Sequence, residues 1–423
     1  MYSEIIKSEN ENKTTFNMKN EDLFEKLNGV LFKNNIESVL HLLNSNEMKG
    51  TFRYNEMNSQ KLICRQLPWM DKKQKVFDIA DESRLVAAMQ KVGITDERNV
   101  KRAMDIIWDE NRFNPFKEYL ESLDLNKLCK KEDPTTTFFQ DFLGAEDSAY
   151  TQIVSQMLFR AMIAKTMYDP DFQYFIVLIG KQGIGKDTVL RKIIPSKDWI
   201  NTNFQYSTQL AQNIEQCNGN ILSVLNDFNG FDKKEFDTFK AFISTPWQTV
   251  RGKYERKARK VKITSVFCAT TNNPNIVPNE QGNRRILPII CCDTSRKLLP
   301  WKDLDKNYRD TLWAWAYKNY KENQAVYPGQ HFDKIAQKER EKYFEIDPVE
   351  LAVNKLCSSG DLAVGCKYTI LDIYNLIAKD LGFPKIDRSL STQIGRILGQ
   401  KKEIFDKKRS NGKISYTYKQ IDL

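Results

Sequence analysis

The sequence predicts an α/β protein built around a parallel β-sheet, with a mainly helical region before the sheet and a small domain after it. Three continuous apolar or β-branched runs alternate with helical patterns: YFIVLI at 174–179, NILSVL at 220–225 and ITSVFCATT at 263–271. Continuous runs of this kind are typical of parallel strands that are covered on both faces. The sheet is therefore expected to lie in the middle of the chain.

Changes of pattern along the chain predict four segments. A mainly helical N-terminal region is expected at 1–146, the sheet-containing core at 147–300, a helical lid or connector at 301–345 and a C-terminal domain at 346–423. In the lid, the helical spacing of LDKNYRDTLWAWAYKNYKE at 304–322 places Trp315 on the buried face.

The C-terminal segment is predicted to fold as a winged-helix-like DNA-binding domain. Helical patterns at 348–357, 369–381 and 389–400 precede a predicted hairpin that turns at Asn411-Gly412. The candidate DNA contacts on this hairpin are Lys407, Lys408, Arg409 and Lys413. The alternative is a solvated hairpin that makes only protein contacts.

The composition favours a polyanionic partner. The 423 residues include 65 Lys and Arg against 55 Asp and Glu, a formal net charge of +10, as in many proteins that bind nucleic acid. No apolar run approaches the roughly 20 residues that cross a bilayer, and a secretory h-region is absent, so no membrane partner is expected. Eight cysteines without a CxxC pair and two histidines argue against zinc and for reduced thiols in a cytoplasmic protein.

Residues 180–188, GKQGIGKDT, form a candidate phosphate loop between a predicted strand and a predicted helix. In such a loop, backbone N–H groups and the positive end of the helix dipole converge on phosphates, and Lys186 reaches the β- and γ-phosphate oxygens. A glycine-rich turn of no function is the alternative. The candidate nucleotide-binding residues are Gly180, Gln182, Gly183, Gly185, Lys186, Asp187 and Thr188.

Asp187 stands where a serine or threonine hydroxyl normally reaches magnesium. A carboxylate is a hard oxygen ligand, so we expect Asp187 to bind Mg²⁺ directly or through water. In such loops the next residue, here Thr188, commonly approaches the α-phosphate.

Polar residues follow the second and third predicted strands. Asp227 is the candidate for binding metal or activating water, with Asn226 as a secondary contact, and Asn272, or Asn273 beside it, is the candidate for orienting water. Turn formation, or an N-cap at Asp227, is the alternative role of these residues.

Two clusters of basic residues complete the candidate site. Arg284 and Arg285 begin another predicted strand and could reach a nucleotide held by a neighbouring subunit, or form a surface ion pair. The run TVRGKYERKARKVKI at 249–263 could form a hairpin that grips DNA in the channel of a ring, or a solvated loop. Its candidate DNA contacts are Arg251, Lys253, Tyr254, Arg256, Lys257, Arg259 and Lys260.

In this order, the motifs resemble the virulence-associated protein E family, which is related to superfamily 3 helicases and to the wider AAA+ ATPases. The resemblance rests on GKQGIGKDT, on FKAFISTPWQTVRGKYERKARK, on ATTN at 269–272 and on QGNRR at 281–285. Weaker similarities are FRYNE at 52–56, LPW at 67–69, NPFKEYL at 114–120 and DFLGA at 141–145.

The resemblance implies a P-loop AAA+ ATPase core that binds ATP and Mg²⁺ in a homo-oligomeric, hexameric ring and acts in replication of a phage or chromosomal island. By the same resemblance Asp227 lies in the metal and water-activating strand, Asn272 senses the γ-phosphate, and Arg284 or Arg285 acts across a subunit boundary. No primase acid cluster is found in residues 1–130, so a separate primase or initiator is a candidate partner.

The leading functional hypothesis is an ATP-driven DNA helicase or translocase. The runner-up is a DNA-binding replication initiator or regulator that uses nucleotide as a switch without motor activity. A small-molecule P-loop kinase would explain the phosphate loop. It would explain neither the basic run at 249–263 nor the basic residues of the predicted C-terminal hairpin.

Overall fold

The computed structural model describes most of the chain. The ranges are 31–72, 74–167, 172–231, 233–250, 259–273, 283–342, 348–381, 386–410 and 413–419. These residues form two compact units, the first extending to Lys342 and the second lying beyond it. No helix among them combines the length and the apolarity that crossing a membrane requires.

The first unit opens with helices whose N-termini are capped by acidic or amide side chains. Asn35, Asp78 and Asp96 each precede a helix and accept a hydrogen bond from a backbone N–H of its first turn. Such caps satisfy amides that have no partner within the helix. The helices are α1 (Ile36–Leu43), α2 (Ile79–Gln90), α3 (Glu97–Glu110), α4 (Pro115–Glu121), α5 (Leu125–Leu128) and α6 (Pro134–Leu143).

A small four-stranded sheet that the sequence did not predict lies in the same region. Its strands are ordered β3-β2-β1-β4, with β1 at Phe52–Asn55, β2 at Gln60–Ile63, β3 at Lys75–Val76 and β4 at Arg112–Phe113. Strands as short as the two residues of β3 and β4 carry no readable alternation of apolar and polar residues.

A five-stranded parallel sheet confirms the predicted α/β class. It follows the buried helix α7 (Ala149–Met167) and has the order β11-β5-β10-β7-β6. Strands β5, β7 and β10 are buried at every residue and coincide with the three apolar runs. The strands of this part of the chain are β5 (Phe175–Ile179), β6 (Ile200–Asn201), β7 (Leu222–Leu225), β8 (Trp247–Val250), β9 (Arg259–Lys262), β10 (Val266–Thr271) and β11 (Ile286–Ile290).

Helices between and after these strands complete the first unit. They are α8 (Lys186–Lys192), α9 (Leu210–Cys217), α10 (Lys233–Ile243), α11 (Lys306–Glu322) and α12 (Gln330–Glu341). The expectation that Trp315 belongs to the core was wrong. The fully buried tryptophan of α11 is Trp313, whose Nε1 donates to the carbonyl of Ile193 over 2.6 Å, whereas Trp315 is partly exposed beneath the ammonium of Lys318.

The second unit contains three helices and a three-stranded antiparallel sheet among its described residues. The helices α13 (Pro348–Ser359), α14 (Ile370–Leu381) and α15 (Arg388–Gln400) lie close to the predicted ranges. The sheet has the order β12-β14-β13, with β12 at Lys367–Tyr368, β13 at Phe405–Ser410 and β14 at Lys413–Tyr418. Ile394, Phe405 and Tyr416 are among the residues of its separate apolar core.

Candidate nucleotide site

The registers of the parallel sheet bring three chain segments to one edge. Ile179, the last residue of β5, pairs with Thr271 of β10, and Ala269 of β10 pairs with Leu225 of β7. The candidate phosphate loop, Asn272 and Asp227 all follow these strand ends. Because carboxyl ends of parallel strands meet at one edge, the predicted residues are brought together there.

The path of the candidate phosphate loop depends on its glycines. Gly183 and Gly185 have φ angles of +83° and +97°, a region that residues with a β-carbon rarely adopt. A β-carbon at Gly180 would lie 2.5 Å from the carbonyl oxygen of Cys291 on the neighbouring segment. The glycine spacing therefore reflects both backbone conformation and close packing.

Lys186 is buried, with 6% of its surface exposed, and its ammonium is held by three oxygens. Its Nζ donates to the carbonyls of Gly180 and Lys181 over 2.5 and 2.9 Å and to Oδ1 of Asn272 over 3.2 Å. Burial lowers the pKa of Lys186, and the negative charge of Asp187 is among the opposing influences. The contact with Asn272 distinguishes this residue from Asn273, the alternative that the sequence left open.

Asp187 is tied to the end of β10. The hydroxyl of Thr270 donates to Oδ1 of Asp187 over 2.8 Å and lies 3.4 Å from Oδ1 of Asn226. The amide of Asn226 donates to the carbonyl of Thr202 over 2.5 Å. The hydroxyl of Thr270 thus binds the first turn of α8 and lies beside Asn226, the residue that follows β7.

Asp227 lines a cavity of about 250 Å³ together with the candidate phosphate loop. It is exposed, and its φ of +50° is unusual for a residue other than glycine. Helix α10 begins only at Lys233, so Asp227 is not the N-cap of that helix. Of the two alternative roles considered for Asp227, only that of a turn residue is left. The lining residues are Gln182, Gly183, Gly185, Lys186, Asp187, Thr188, Asp227, Thr270, Thr271, Asn272 and Trp301.

The donor set of this cavity fits magnesium better than a transition metal. Among the described residues, no group of three or more His, Cys, Asp or Glu is placed to hold a metal by itself. Mg²⁺ in nucleotide sites is commonly held by one or two carboxylates together with phosphates and water. Asp187 and Asp227 supply such carboxylates.

Arg284 and Arg285 lie at the opposite edge of the sheet from the candidate phosphate loop. Ile286 pairs with Phe175 at the start of β5, whereas the loop follows Ile179 at its end. At about 3.3 Å per residue, these two ends of β5 are about 13 Å apart. Both arginines line a second cavity, of about 330 Å³, with Gln173, Tyr174, Tyr327 and Asp333.

The two arginines have different surroundings. Arg285 donates to Oε1 of Gln173 over 2.8 Å and to the hydroxyl of Ser244 over 3.2 Å, so it holds neighbouring segments together. The side chain of Arg284 is exposed.

The basic run does form a hairpin at its base. Strands β8 and β9 pair antiparallel, with Thr249 opposite Lys260. The predicted contacts Arg251, Lys253, Tyr254, Arg256 and Lys257 lie outside the described residues. Arg259 and Lys260 begin β9, and in the second unit Lys407, Lys408 and Arg409 are exposed on β13 while Lys413 begins β14.

The hairpin base borders a third cavity, of about 430 Å³, that the sequence did not predict. Trp247 lines this cavity and has 47% of its surface exposed. On the same lining, the guanidinium of Arg112 lies 4.9 Å from the ring centre of Tyr54. The basic and aromatic lining residues are Tyr54, Arg112, Lys117, Trp247, Lys260 and Lys262.

Sequence reasoning also missed Thr270 and Trp301 at the nucleotide cavity. Thr270 could have been found, because it lies within the ATTN motif at the tip of β10. Trp301 has no local signal, since it comes after β11 and reaches the cavity only through tertiary contacts.

Fold and cavity together define an α/β protein with a glycine-rich loop at the carboxyl edge of a parallel sheet. The model of the virulence-associated protein E-like domain matches residues 120–345, more than half of the chain. The chain therefore belongs to the virulence-associated protein E-like domain family, which confirms the resemblance seen in its motifs.

Solved structures of the NrS-1 C-terminal region are similar over most of their length. One apo structure, of residues 305–718 of that protein, is 14% identical with a TM-score of 0.42, and the match covers 87% of this chain and 95% of that one. An A-form apo structure is 12% identical with a TM-score of 0.47, covering 91% and 100%. No curated protein sequence matches this chain.

Proposed function

We propose that this protein is an ATP-dependent DNA helicase or translocase with a P-loop AAA+ core. The observation that carries the proposal is the contact of Lys186 Nζ with Asn272 Oδ1, at 3.2 Å, in a cavity that Asp227 also lines. A phosphate-binding lysine, a polar strand tip and a strand-end acid are the parts that nucleotide hydrolysis requires.

Each part has a task set by its chemistry. Lys186 exchanges its carbonyl partners for β- and γ-phosphate oxygens and neutralises charge there. Asp227 accepts a hydrogen bond from the attacking water and Asn272 orients that water or the γ-phosphate. Mg²⁺, held by Asp187 and Asp227, would neutralise the phosphate oxygens when it is bound.

The basic hairpin and the third cavity, a groove at its base, favour DNA as the polymer along which the protein moves. Lys260 and Lys262 of β9 and Trp247 of β8 line a groove with Arg112 and Lys117 of the N-terminal region. Cationic side chains bind phosphates and aromatic rings stack on bases, with little dependence on sequence. The exposed basic residues of β13 support a second DNA contact in a winged-helix-like C-terminal domain.

A ring of subunits would let the two edges of the sheet work together. Arg284 lies at the edge away from its own phosphate loop, so it can meet a nucleotide only if that nucleotide belongs to another copy of the chain. A hexamer is the form we propose. Family membership supports a role in replication of a phage or mobile element, with a separate primase or initiator as a further partner.

One observation favours the alternative of a nucleotide-switched initiator or regulator. Strand β7 is followed by Asn226 and a single acid, Asp227, and the amide of Asn226 donates to the carbonyl of Thr202. With an amide in place of a second carboxylate, water activation could be too weak for turnover while nucleotide binding remains.

Steady-state ATP hydrolysis with Mg²⁺, with and without single-stranded DNA, tests the proposal. Wild type should show DNA-stimulated turnover that Lys186→Ala abolishes. ATP binding without hydrolysis, with turnover appearing in Asp187→Ser, would establish the switch instead. If the wild-type chain bound no ATP at all, both proposals would be wrong.

A further inference from the structure

The mouth of the nucleotide cavity carries an exposed aromatic ring. Trp301 has 51% of its surface exposed and lines the cavity with Gly185 and Thr188. A large exposed indole at the edge of a polar cavity is more informative than a scattered apolar residue, because tryptophan is usually mostly buried.

Trp301 is held in place by Lys192 of α8 and by Arg296, which also binds the candidate phosphate loop. Lys192 Nζ donates to the carbonyls of Pro300 and Trp301 over 3.1 and 3.0 Å. The guanidinium of Arg296 lies 4.8 Å from the ring centre of Trp301, and its Nη1 donates to the carbonyl of Ile184 over 3.1 Å. Main chain and ring are therefore both anchored, which lowers the entropy that a ligand would lose in ordering them.

The ring lies on the side of the loop where we expect the nucleoside of a bound nucleotide. Gly185 directly precedes α8, and Thr188 and Lys192 lie within it, three and then four positions further on, so the three residues share one face. Trp301 and Pro300 lie against that face, since a β-carbon at Gly185 would be 3.6 Å from Trp301 Cζ3 and 3.0 Å from Pro300 Cγ. Thr188 is the residue expected to approach the α-phosphate, and the nucleoside is attached to that phosphate.

We propose that the indole of Trp301 is the stacking platform for the base of a nucleoside triphosphate. This inference rests on the proposed function, because it takes the candidate phosphate loop as the triphosphate site. Stacking on a ring face does not depend on the hydrogen-bonding groups at the edge of the base. The site therefore recognises nucleoside triphosphates as a class and discriminates little between ATP and GTP.

Calorimetric titration of the full chain with two ligands separates the base from the phosphates. MgATP contacts both parts of the site, whereas inorganic tripolyphosphate with Mg²⁺ contacts only the phosphate part. Trp301→Ala should weaken MgATP binding roughly tenfold, as expected for loss of one base–aromatic stack, and leave tripolyphosphate binding unchanged. Trp301→Phe should restore most of the MgATP affinity, and GTP should bind wild type within a few-fold of ATP.

The outcomes distinguish this inference from the proposed function. Equal weakening of both ligands in Trp301→Ala would show that Trp301 only supports the loop, and an unchanged MgATP affinity would show that the ring has no role; either result overturns the inference while ATP binding stands. A preference for ATP over GTP of 100-fold or more, on the order of one well-read hydrogen-bonding edge, would also overturn it. Failure of wild type to bind either ligand would overturn the proposed function itself.

Discussion

The hydroxyl of Thr270 donates a 2.8 Å hydrogen bond to Oδ1 of Asp187, joining the tip of β10 to the first turn of α8. The bond orients the carboxylate that occupies the usual hydroxyl position of a phosphate loop. One oxygen of Asp187 is engaged in this way. We expect the remaining lone pairs of the carboxylate to bind Mg²⁺.

Asp187→Asn is expected to weaken the Mg²⁺ dependence of ATP binding with little change in stability. The amide oxygen can still accept from Thr270, but the negative charge that attracts the cation is lost. The measurement is ATP affinity with Mg²⁺ and with a chelator present. Wild type should bind at least tenfold more tightly with Mg²⁺, a difference of about 1.4 kcal/mol. The variant should show a clearly smaller difference, because Asp227 alone remains as a carboxylate ligand.

Thr270→Val is the matched control for Asp187. It removes the hydrogen bond and keeps the carboxylate, so Mg²⁺ dependence should persist while stability falls by about 1 kcal/mol. Full Mg²⁺ enhancement in Asp187→Asn would show that Asp187 is not a metal ligand.

As the pH rises, ATP affinity should begin to fall earlier than it would if Lys186 had the pKa of an ordinary lysine. Burial lowers the pKa of Lys186 in the free protein, whereas bound phosphates favour its ammonium. Affinity is therefore constant below the pKa of the free protein, then falls as pH rises through it, by at most about tenfold per pH unit.

Lys186→Arg supplies the control for this pH profile. Arginine stays protonated throughout the accessible range, so its affinity, although lower at neutral pH, should stay level as pH rises. Titrations between about pH 7 and pH 10 compare the two proteins below the ordinary lysine pKa of about 10.4. Parallel profiles for wild type and Lys186→Arg would assign the decline to another group.

Gly144→Ala should destabilise the first unit by about 3 kcal/mol, combining left-handed backbone strain with overpacking. Gly144 ends α6 with a φ of +61°, and a β-carbon there would lie 1.9 Å from the carbonyl oxygen of Cys292. Denaturant unfolding measures the loss. Gly50→Ala is the control, because Gly50 has a φ of +76° but open space around it and should lose only the strain of about 1 to 2 kcal/mol. Equal losses would mean that the chain near Cys292 moves aside.

This packing shows why the sequence predicted some parts of the site and not others. Strands β5, β7 and β10 could be predicted because each is a continuous apolar run, and their polar tips follow directly in the sequence. The position of Trp301 depends instead on distant contacts: Cys292 donates its backbone N–H to Leu143, and Lys192 binds the carbonyls at 300 and 301. No local pattern carries such information.

The error at Trp315 has a different physical origin. Trp313 and Trp315 are two positions apart, which is about 200° around a helix. Both faces of this helix carry aromatic residues, so periodicity alone could not choose between them. The choice is made by tertiary contacts, since Trp313 packs against Phe116 and Phe159 with ring centres 4.9 and 5.3 Å apart.

Changing Lys253 and Lys257 together to alanine should uncouple ATP hydrolysis from DNA. Both belong to the segment between β8 and β9, and the basic groove lies at the base of that hairpin. Basal turnover should be preserved because neither residue belongs to the candidate phosphate loop or to the strand ends that follow β7 and β10. Stimulation by single-stranded DNA should fall at least several-fold, and binding should depend less steeply on salt concentration. Undiminished stimulation would place the DNA contact elsewhere.

Mixing two inactive variants tests whether Arg284 acts on a neighbouring subunit. Lys186→Ala lacks a working phosphate loop but keeps Arg284, and Arg284→Ala keeps the loop but lacks the arginine. Loss of an arginine finger lowers turnover by about 10³- to 10⁵-fold, so each variant alone should be inactive. A mixture should recover activity at interfaces that combine an intact loop with an intact arginine.

Arg285→Ala is the contrasting variant, because loss of its bonds to Gln173 and Ser244 should lower stability, and mixing should not cure that defect. Activity that stays absent in every mixture, although the subunits associate, would exclude action of Arg284 across the boundary.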